Sequence, residues 1–493
     1  MKLSKLSIFF LINILFLDSI SAKIKKEVPR QISLEKTEEM GNVSLKIIGN
    51  IPKWLSGTLI RNGPVKVYNE TVGHFFDEPG MLHAFAFDNG IVRYTNKFLR
   101  SNVYDLIFNE GAVNYGDFAK NADSSLFNKF LSYFRKKTNS DIQNANVNVA
   151  KLDNTYVALT EKPLPVKFDL KTLETLGVFD YQDQLPKKDY WESAHPHYDY
   201  VNRQTINYFI FFGWNSCYTI YSIEDNSSER KIIARIPVSN PSYMHSFSVT
   251  ENYIILTEFP FRVKPLDLLF KRKSFIHNFN WQQEEGTNFI VISRFNGSVI
   301  GNYKTNSFFS FHHANAFEQD ACIYVDMVVY DNADILTNKT FYQQKDKKQV
   351  STSIHPLKRF IVDLNKKNIT EEILLEKSCE FPRINELLDG KIYRYAYVAG
   401  SSSSRTSSAL YKVDTDKKEF LYWKEENCIV GEPIFVAKPE MQDEDDGVIL
   451  TIILNELDYG SFLLILDAKT FQEIGRAITP NMLQKGLHSQ FFK

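Results

Sequence analysis

Ten histidines occur in this 493-residue sequence, and six of them fall in four segments whose local makeup a packing residue does not need. These are Ala194-His195-Pro196-His197, Tyr243-Met244-His245-Ser246-Phe247, Phe311-His312-His313-Ala314-Asn315-Ala316 and Gly486-Leu487-His488. A neutral imidazole is a good ligand for first-row transition metals, and sets of histidines suit Fe, Cu, Ni or Zn. Four imidazoles so far apart in sequence, His195, His245, His312 and His488, can meet on one ion only if the fold carries distant strands to a common axis. His197, His313, His74 and His83 read instead as hydrogen-bonded core residues, and His277 and His355 as surface or loop residues.

Four neutral ligands leave the charge of a divalent ion uncompensated. Carboxylates that accept the free ring N–H of each ligand would fix its tautomer and offset that charge. Glu161 (Leu159-Thr160-Glu161-Lys162-Pro163), Glu380 (Cys379-Glu380-Phe381-Pro382) and Glu432 (Gly431-Glu432-Pro433-Ile434-Phe435) stand in apolar, strand-like settings where a buried acid needs a partner. Glu258-Phe259-Pro260 has the same character. These local settings do not separate it from the other three.

The elements that would position such groups are strands. Ala84–Phe87, then Asp88-Asn89-Gly90, then Ile91–Tyr94 reads as a hairpin with a tight turn. Similar β-type runs recur at 156–160, 208–212, 253–256, 322–325, 448–453 and 462–466. Many short strands and few long helical patterns predict an all-β fold. A β-propeller orders such strands around one axis; its repeats commonly run ~40–50 residues, and with insertions stretching them about seven blades would fill the chain. Two segments break the pattern. Ser124–Lys137 and Phe261–Phe279 mix apolar residues with Lys and Arg, which suits helices capping the core or docking on a membrane surface.

Hydrophobic residues make up 43% and charged residues 24%, a balance that excludes global disorder. The 58 basic and 59 acidic residues nearly cancel, so nothing favours nucleic-acid binding. Cys217, Cys322, Cys379 and Cys428 are too scattered for a metal clip or a disulfide framework and read as thiols. Residues 1–22 have the layout of a signal peptide or signal anchor: Lys2 and Lys5, an apolar run from Ile8 to Leu17, then small residues. Asn-x-Ser/Thr triplets begin at Asn42, Asn69, Asn226, Asn296, Asn338 and Asn368, a number that a chain rich in Asn, Ser and Thr reaches by composition alone. No later segment is long and apolar enough for a transmembrane helix.

From about residue 45 to the C-terminus the sequence resembles the carotenoid cleavage oxygenase family, its animal branch most closely. The resemblance rests on Ile51-Pro52-Lys53-Trp54-Leu55-Ser56-Gly57-Thr58-Leu59-Ile60-Arg61-Asn62-Gly63-Pro64, Met81-Leu82-His83-Ala84-Phe85, the four histidine contexts, Glu432-Pro433-Ile434-Phe435-Val436, Asp445-Asp446-Gly447-Val448 and Leu463–Ala468. It implies a single seven-bladed β-propeller over residues 45–493, with short helices and loops capping an iron ion, Fe(2+), on the axis. It further implies that His195, His245, His312 and His488 are the metal ligands and that Glu161, Glu380 and Glu432 support them, which leaves Glu258 without that role. Three departures stand out. Glu78 occupies a turn position where the family usually has glycine, the vertebrate Pro-Asp-Pro-Cys-Lys segment is absent near Ala122–Ser125, and a secretory-looking N-terminus is unusual for the animal branch.

The expected activity is therefore oxidative cleavage of a carotenoid double bond by O2, with β-carotene to retinal as the leading case. Eccentric cleavage, retinyl-ester isomerohydrolase chemistry and a silent carotenoid- or retinoid-binding propeller are the alternatives. The expected partners are a carotenoid or retinoid, O2 and a membrane surface contacted peripherally. The N-terminus points to secretion or the ER lumen, against a cytoplasmic, membrane-associated alternative. The last ligand candidate, His488, lies close to the chain end, where trimming is ordinarily tolerated. Deletion from Leu487 onward is expected to abolish iron loading and turnover while most of the β structure survives, because the blades precede the cut.

Overall fold

The computed structural model describes residues 38–67, 75–109, 143–187, 190–270, 273–337, 354–400, 407–455, 457 and 460–493. Residues 1–22, expected to be a targeting segment, and Ser124–Lys137, expected to be a core-capping or membrane-docking helix, lie outside them. The described strands form a seven-bladed β-propeller with few helices. Blades 2 to 6 follow one another in sequence, starting at Asn148, Tyr190, Ser248, His313 and Cys379. The apolar runs legible in the sequence are middle strands clamped between neighbouring blades: Gly447–Asn455 is buried from Val448 to Leu454, and Thr287–Ser293 along its whole length. Outermost strands such as Glu419–Lys424 are exposed along most of their length.

Two interlocks close the ring. Lys46–Gly49 pairs with Glu473–Ile478 as the outermost strand of blade 7. Blade 1 takes strands from both chain ends: Ser489–Phe492 pairs antiparallel with Gly57–Pro64, Arg61 opposite Ser489 and Thr58 opposite Phe492. The approach of the tail depends on glycine, because a Cβ on Gly63 would lie 2.6 Å from the Gly486 Cα. The C-terminal residues are thus a structural strand. This corrects the expectation that the blades all precede a cut at Leu487, since that cut removes the strand that closes the ring.

Phe261–Phe279 folds as a two-residue strand, a helix at Pro265–Phe270 and a turn at Phe275–Asn278. Phe261, Ile276 and Phe279 are buried, and the Phe275 ring stacks on Trp191 at 4.1 Å. Most of its described apolar residues therefore cap the core, and Leu266 is the large apolar side chain left exposed among them. Glu78, in its unusual turn, is buried, with its carbonyl accepting from the side chains of Asn144 (2.6 Å) and Asn146 (2.9 Å). All four cysteines are free thiols.

Candidate metal centre

The four histidines stand at equivalent places. His245, His312 and His488 immediately or closely precede the axis-proximal strands that begin at Ser248, His313 and Ser489 in blades 4, 5 and 1. His195 sits where the axis-proximal strand of blade 3 breaks between Tyr190–Glu192 and His197–Asp199. The three glutamates come from the remaining blades. Glu161 follows the strand Thr155–Leu159 of blade 2, Glu380 lies at a bulge in Cys379–Arg383 of blade 6, and Glu432 lies between Cys428–Val430 and Ile434–Ala437 of blade 7. Breaks and bulges re-aim side chains that a regular strand would hold along its own faces. Four blades give an imidazole and three give a carboxylate, so one imidazole has no glutamate of its own.

One ring nitrogen from each of His195, His245, His312 and His488 lies within 4.8 Å of every other. The His195 and His245 Nε2 atoms are 2.9 Å apart, and those of His312 and His488 3.2 Å. Outward, His245 Nδ1 meets Glu161 at 2.6 Å, His312 Nδ1 meets Glu380 at 2.6 Å, and His488 Nδ1 meets Glu432 at 2.9 Å. A carboxylate accepts, so each of these imidazoles donates from Nδ1 and turns an unprotonated Nε2 to the axis. The 3.2 Å between His312 and His488 then separates two nitrogen lone pairs, which repel unless a cation lies between them. Imidazole nitrogens bind such ions at about 2.0–2.1 Å, so the donor set fits a first-row divalent metal.

The carboxylates are held in turn. Tyr243 donates its hydroxyl to both Glu161 oxygens (3.0 and 2.9 Å), and Tyr330 to Glu380 (2.6 Å). Glu380 also accepts from the Phe381 N–H (2.8 Å), and Glu432 from the Ser489 N–H (2.6 Å). Burial alone would raise Glu380, but His312, Tyr330 and the Phe381 N–H outweigh it and hold its carboxyl below the usual range. Burial likewise opposes ionisation of Glu432, and Arg383 with His488 reverses the balance. Burial pushes His488 down to about 4 against the pull of Glu432. Burial, then the three neighbouring imidazoles, holds His195 well below its ordinary value. At His195, His488, Glu380 and Glu432 this favours the neutral imidazole and the charged carboxylate, the forms a metal site requires.

Glu258 is elsewhere. It accepts from Tyr218 (2.8 Å), Arg262 (3.0 Å) and Asn288 (3.2 Å), an ion-paired cluster that none of the four histidines joins. His197 bonds Asp389 (2.7 Å), His313 bonds Ser248 (2.9 Å) and His83 bonds Tyr94 (2.8 Å), and His74 lies outside the described residues. His277 and His355 are half-buried, His355 with its ring 4.2 Å from Tyr330, so neither is a plain surface residue.

The sequence reading missed a belt of polar side chains that ties the four histidine segments to one another. Ser193 Oγ donates to the His245 carbonyl (2.8 Å), Ser246 Oγ to the Phe311 carbonyl (2.7 Å) and Asn148 Nδ2 to the Ala194 carbonyl (2.8 Å). The Asn62 N–H reaches the His488 carbonyl at 2.9 Å. Tyr243 and Ser246 flank His245 in sequence and carried a signal; Tyr330 and Asn148 carried none.

A family model described as Retinal pigment epithelial membrane protein matches residues 33–493. The chain belongs to this family of carotenoid oxygenases. It is 32% identical to the β,β-carotene 15,15'-dioxygenase of Gallus gallus, over 92% of this chain and 96% of that protein. It is 28% identical to the mitochondrial carotenoid-cleaving dioxygenase of Homo sapiens, over 91% and 88%. Among solved structures, cobalt-substituted Synechocystis apocarotenoid oxygenase superposes with a TM-score of 0.78 at 25% identity, covering 92% of this chain and 96% of that one. The carotenoid oxygenase fold, an oxygenase activity and a metal-binding site thus attach to this chain through its family.

Proposed function

We propose that the protein is an Fe(II)-dependent dioxygenase that cleaves a carotenoid double bond into two carbonyl products, with β-carotene to retinal as the principal reaction. The observation that carries this reading is the convergence of four imidazole nitrogens, three of them locked as acceptors toward the axis by Glu161, Glu380 and Glu432. A silent binder needs no such donor set. The similarity to 15,15'-dioxygenases over nine-tenths of the chain supports central cleavage.

When bound, the metal supplies the activation of O2 toward an alkene. The chain's own residues hold the ligands and keep water out. Three carboxylates fix the tautomers and oppose the metal charge, while His195, without one, is positioned through Asn148 and the backbone of Ala194. The rings of Phe311 and Phe381 pack against His245, His312 and His488 at 5.3–5.5 Å and make the surroundings apolar. Both oxygen atoms end in the two carbonyls, so the reaction balances without an added reductant.

A carotenoid must be collected from lipid, and we place the contact at the hairpin tip carrying Trp214, 86% exposed, and at Leu266, 38% exposed, in the excursion against which the neighbouring Phe212 packs. The exposed Lys264 and Lys273 flank Leu266 in sequence and suit a lipid surface. The deciding experiment incubates iron-loaded protein with β-carotene under 18O2 and identifies products by mass. Labelled retinal is expected. A pair of unequal apocarotenals would replace central by eccentric cleavage, and unchanged β-carotene with intact iron would reject the dioxygenase reading for this substrate.

A further inference from the structure

We propose that Asn226, Asn296 and Asn368 are N-glycosylation sites, set on the face of the propeller opposite Trp214 and Leu266, and that the chain accordingly passes through the secretory lumen. Each begins an acceptor triplet: Asn226-Ser227-Ser228, Asn296-Gly297-Ser298 and Asn368-Ile369-Thr370. In sequence alone such triplets carry little weight. Burial and position give these three their meaning.

The triplet asparagines among the described residues, Asn42, Asn226, Asn296 and Asn368, are all exposed. None of the nine buried asparagines, Asn62 and Asn148 among them, is followed two places on by Ser or Thr. A glycan joined to a buried asparagine before folding would block packing, so a chain folding in the lumen has to keep triplets out of its core. Every described position meets that condition.

The three sites also occupy one topological place in three consecutive blades. Asn226 lies in the turn between Cys217–Glu224 and Lys231–Pro237, and Asn296 in the turn between Thr287–Ser293 and Val299–Thr305. Asn368 closes the turn between Leu357–Asp363 and Asn368–Leu375. These are the outermost hairpins of blades 3, 4 and 5. Trp214 and Asn226 lie beyond opposite ends of Cys217–Glu224, a strand that spans about 25 Å. The excursion Phe261–Phe279 and Asn296 lie beyond opposite ends of Thr287–Ser293. Phe212, beside Trp214, packs its ring on Phe275 and Phe279, which places the first two blades' apolar tips on one face. The helix Asp334–Thr337, at the far end of Leu357–Asp363 from Asn368, packs on the Phe275–Asn278 turn and joins that face. Bulky hydrophilic glycans on the other face leave it free to meet lipid.

At Asn226 and Asn296 the folded structure is compatible with a glycan added earlier, on the unfolded chain. Asn296 Oδ1 accepts from the Ser298 N–H (3.0 Å) and Oγ (2.7 Å), and Asn226 Oδ1 from Asn154 Nδ2 (3.2 Å). Among the described residues no hydrogen bond engages either Nδ2. In the transfer this nitrogen attacks the anomeric carbon of an oligosaccharide carried on a polyisoprenyl diphosphate. The N–C bond forms as the C–O bond breaks, the diphosphate leaves with the electron pair, and Nδ2 loses one proton. The Lys2, Lys5 and Ile8–Leu17 pattern of the N-terminus is the kind of address this route requires.

The test expresses the full chain with its own N-terminus in insect cells, digests it with peptide-N-glycosidase in H2(18)O and sequences the peptides by mass spectrometry. Labelled Asp is expected at positions 226, 296 and 368, with one mobility step lost in each of Asn226→Gln, Asn296→Gln and Asn368→Gln. Ser228→Ala, Ser298→Ala and Thr370→Ala should lose the same steps with the asparagine retained, which a structural effect of replacing it would not produce. Unlabelled Asn at these positions in secretory-fraction protein, or an unmodified chain confined to the cytosol, overturns the proposal. Neither result bears on carotenoid cleavage, which the product assay decides separately.

Discussion

Replacing each supporting glutamate by glutamine should not cost the same, because the three carboxylates differ in what they hold. Glu432 accepts from His488 Nδ1 on one oxygen and from the Ser489 backbone N–H on the other. Glutamine has one acceptor. If its oxygen faces His488, its NH2 confronts the Ser489 N–H, and a buried donor is left unmatched. If its oxygen faces Ser489, its NH2 donates to His488 Nδ1, the ring proton moves to Nε2, and the metal-facing lone pair is lost. Arg383, 3.8 Å away, loses one of its anionic neighbours in both cases and keeps Glu386. An unmatched buried group costs ~1–3 kcal/mol, which corresponds to about a 5- to 150-fold loss in metal affinity and brackets the ~10–100-fold typical for such carboxylates. Glu161 and Glu380 are more forgiving. Their other oxygens meet the hydroxyls of Tyr243 and Tyr330, which can turn from donor to acceptor and take a glutamine NH2. Co(II) affinity by chelator competition should therefore rank Glu432→Gln as the most impaired, Glu161→Gln and Glu380→Gln as milder, and Glu258→Gln as indistinguishable from the parent. Equal losses at the three supporting positions, or normal affinity in Glu432→Gln, would refute the reasoning.

His488→Ala should abolish metal binding while keeping the cooperative thermal transition, whereas deletion from Leu487 should lose both, because it removes the strand paired with Gly57–Pro64; calorimetry with metal analysis separates the two. Burial raises Glu192 to about 7 from 4.5 against the opposing Tyr221 hydroxyl and Arg230, so the native state holds a proton that the unfolded chain releases. Its stabilising contribution is complete below pH 4.5 and is lost as pH rises through 7, by about 3 kcal/mol, and Glu192→Gln should flatten that slope in urea titrations at pH 5 and 8.5. The double variant Trp214→Ser/Leu266→Ser should lower liposome partitioning with an unchanged melting temperature; undiminished binding would move the lipid contact elsewhere.

Much of the architecture was readable along the chain because its signals are local. Continuous apolar runs such as 448–453 and 462–466 become strands packed on both faces, and turn residues such as Asp88-Asn89-Gly90 mark their ends. Histidine contexts at 195, 245, 312 and 488 were visible for the same reason. Phe261–Phe279 shows the limit: its composition fits either a core cap or a membrane face, and only packing against Trp191 and the neighbouring turns assigns most of its rings to the interior.

The pairing of partners was decided by the tertiary structure alone. His312 and His488 stand 176 positions apart and face each other at 3.2 Å because the C-terminal strand closes blade 1. Glu161 meets His245 across 84 positions, while Glu258, in an equally apolar setting, turns to Arg262 four positions away. A sequence displays which side chains need a partner, since that follows from their own chemistry and immediate neighbours. Which partner each one receives depends on ring closure and on where axis-proximal strands break, and these are properties of seven blades assembled around one axis.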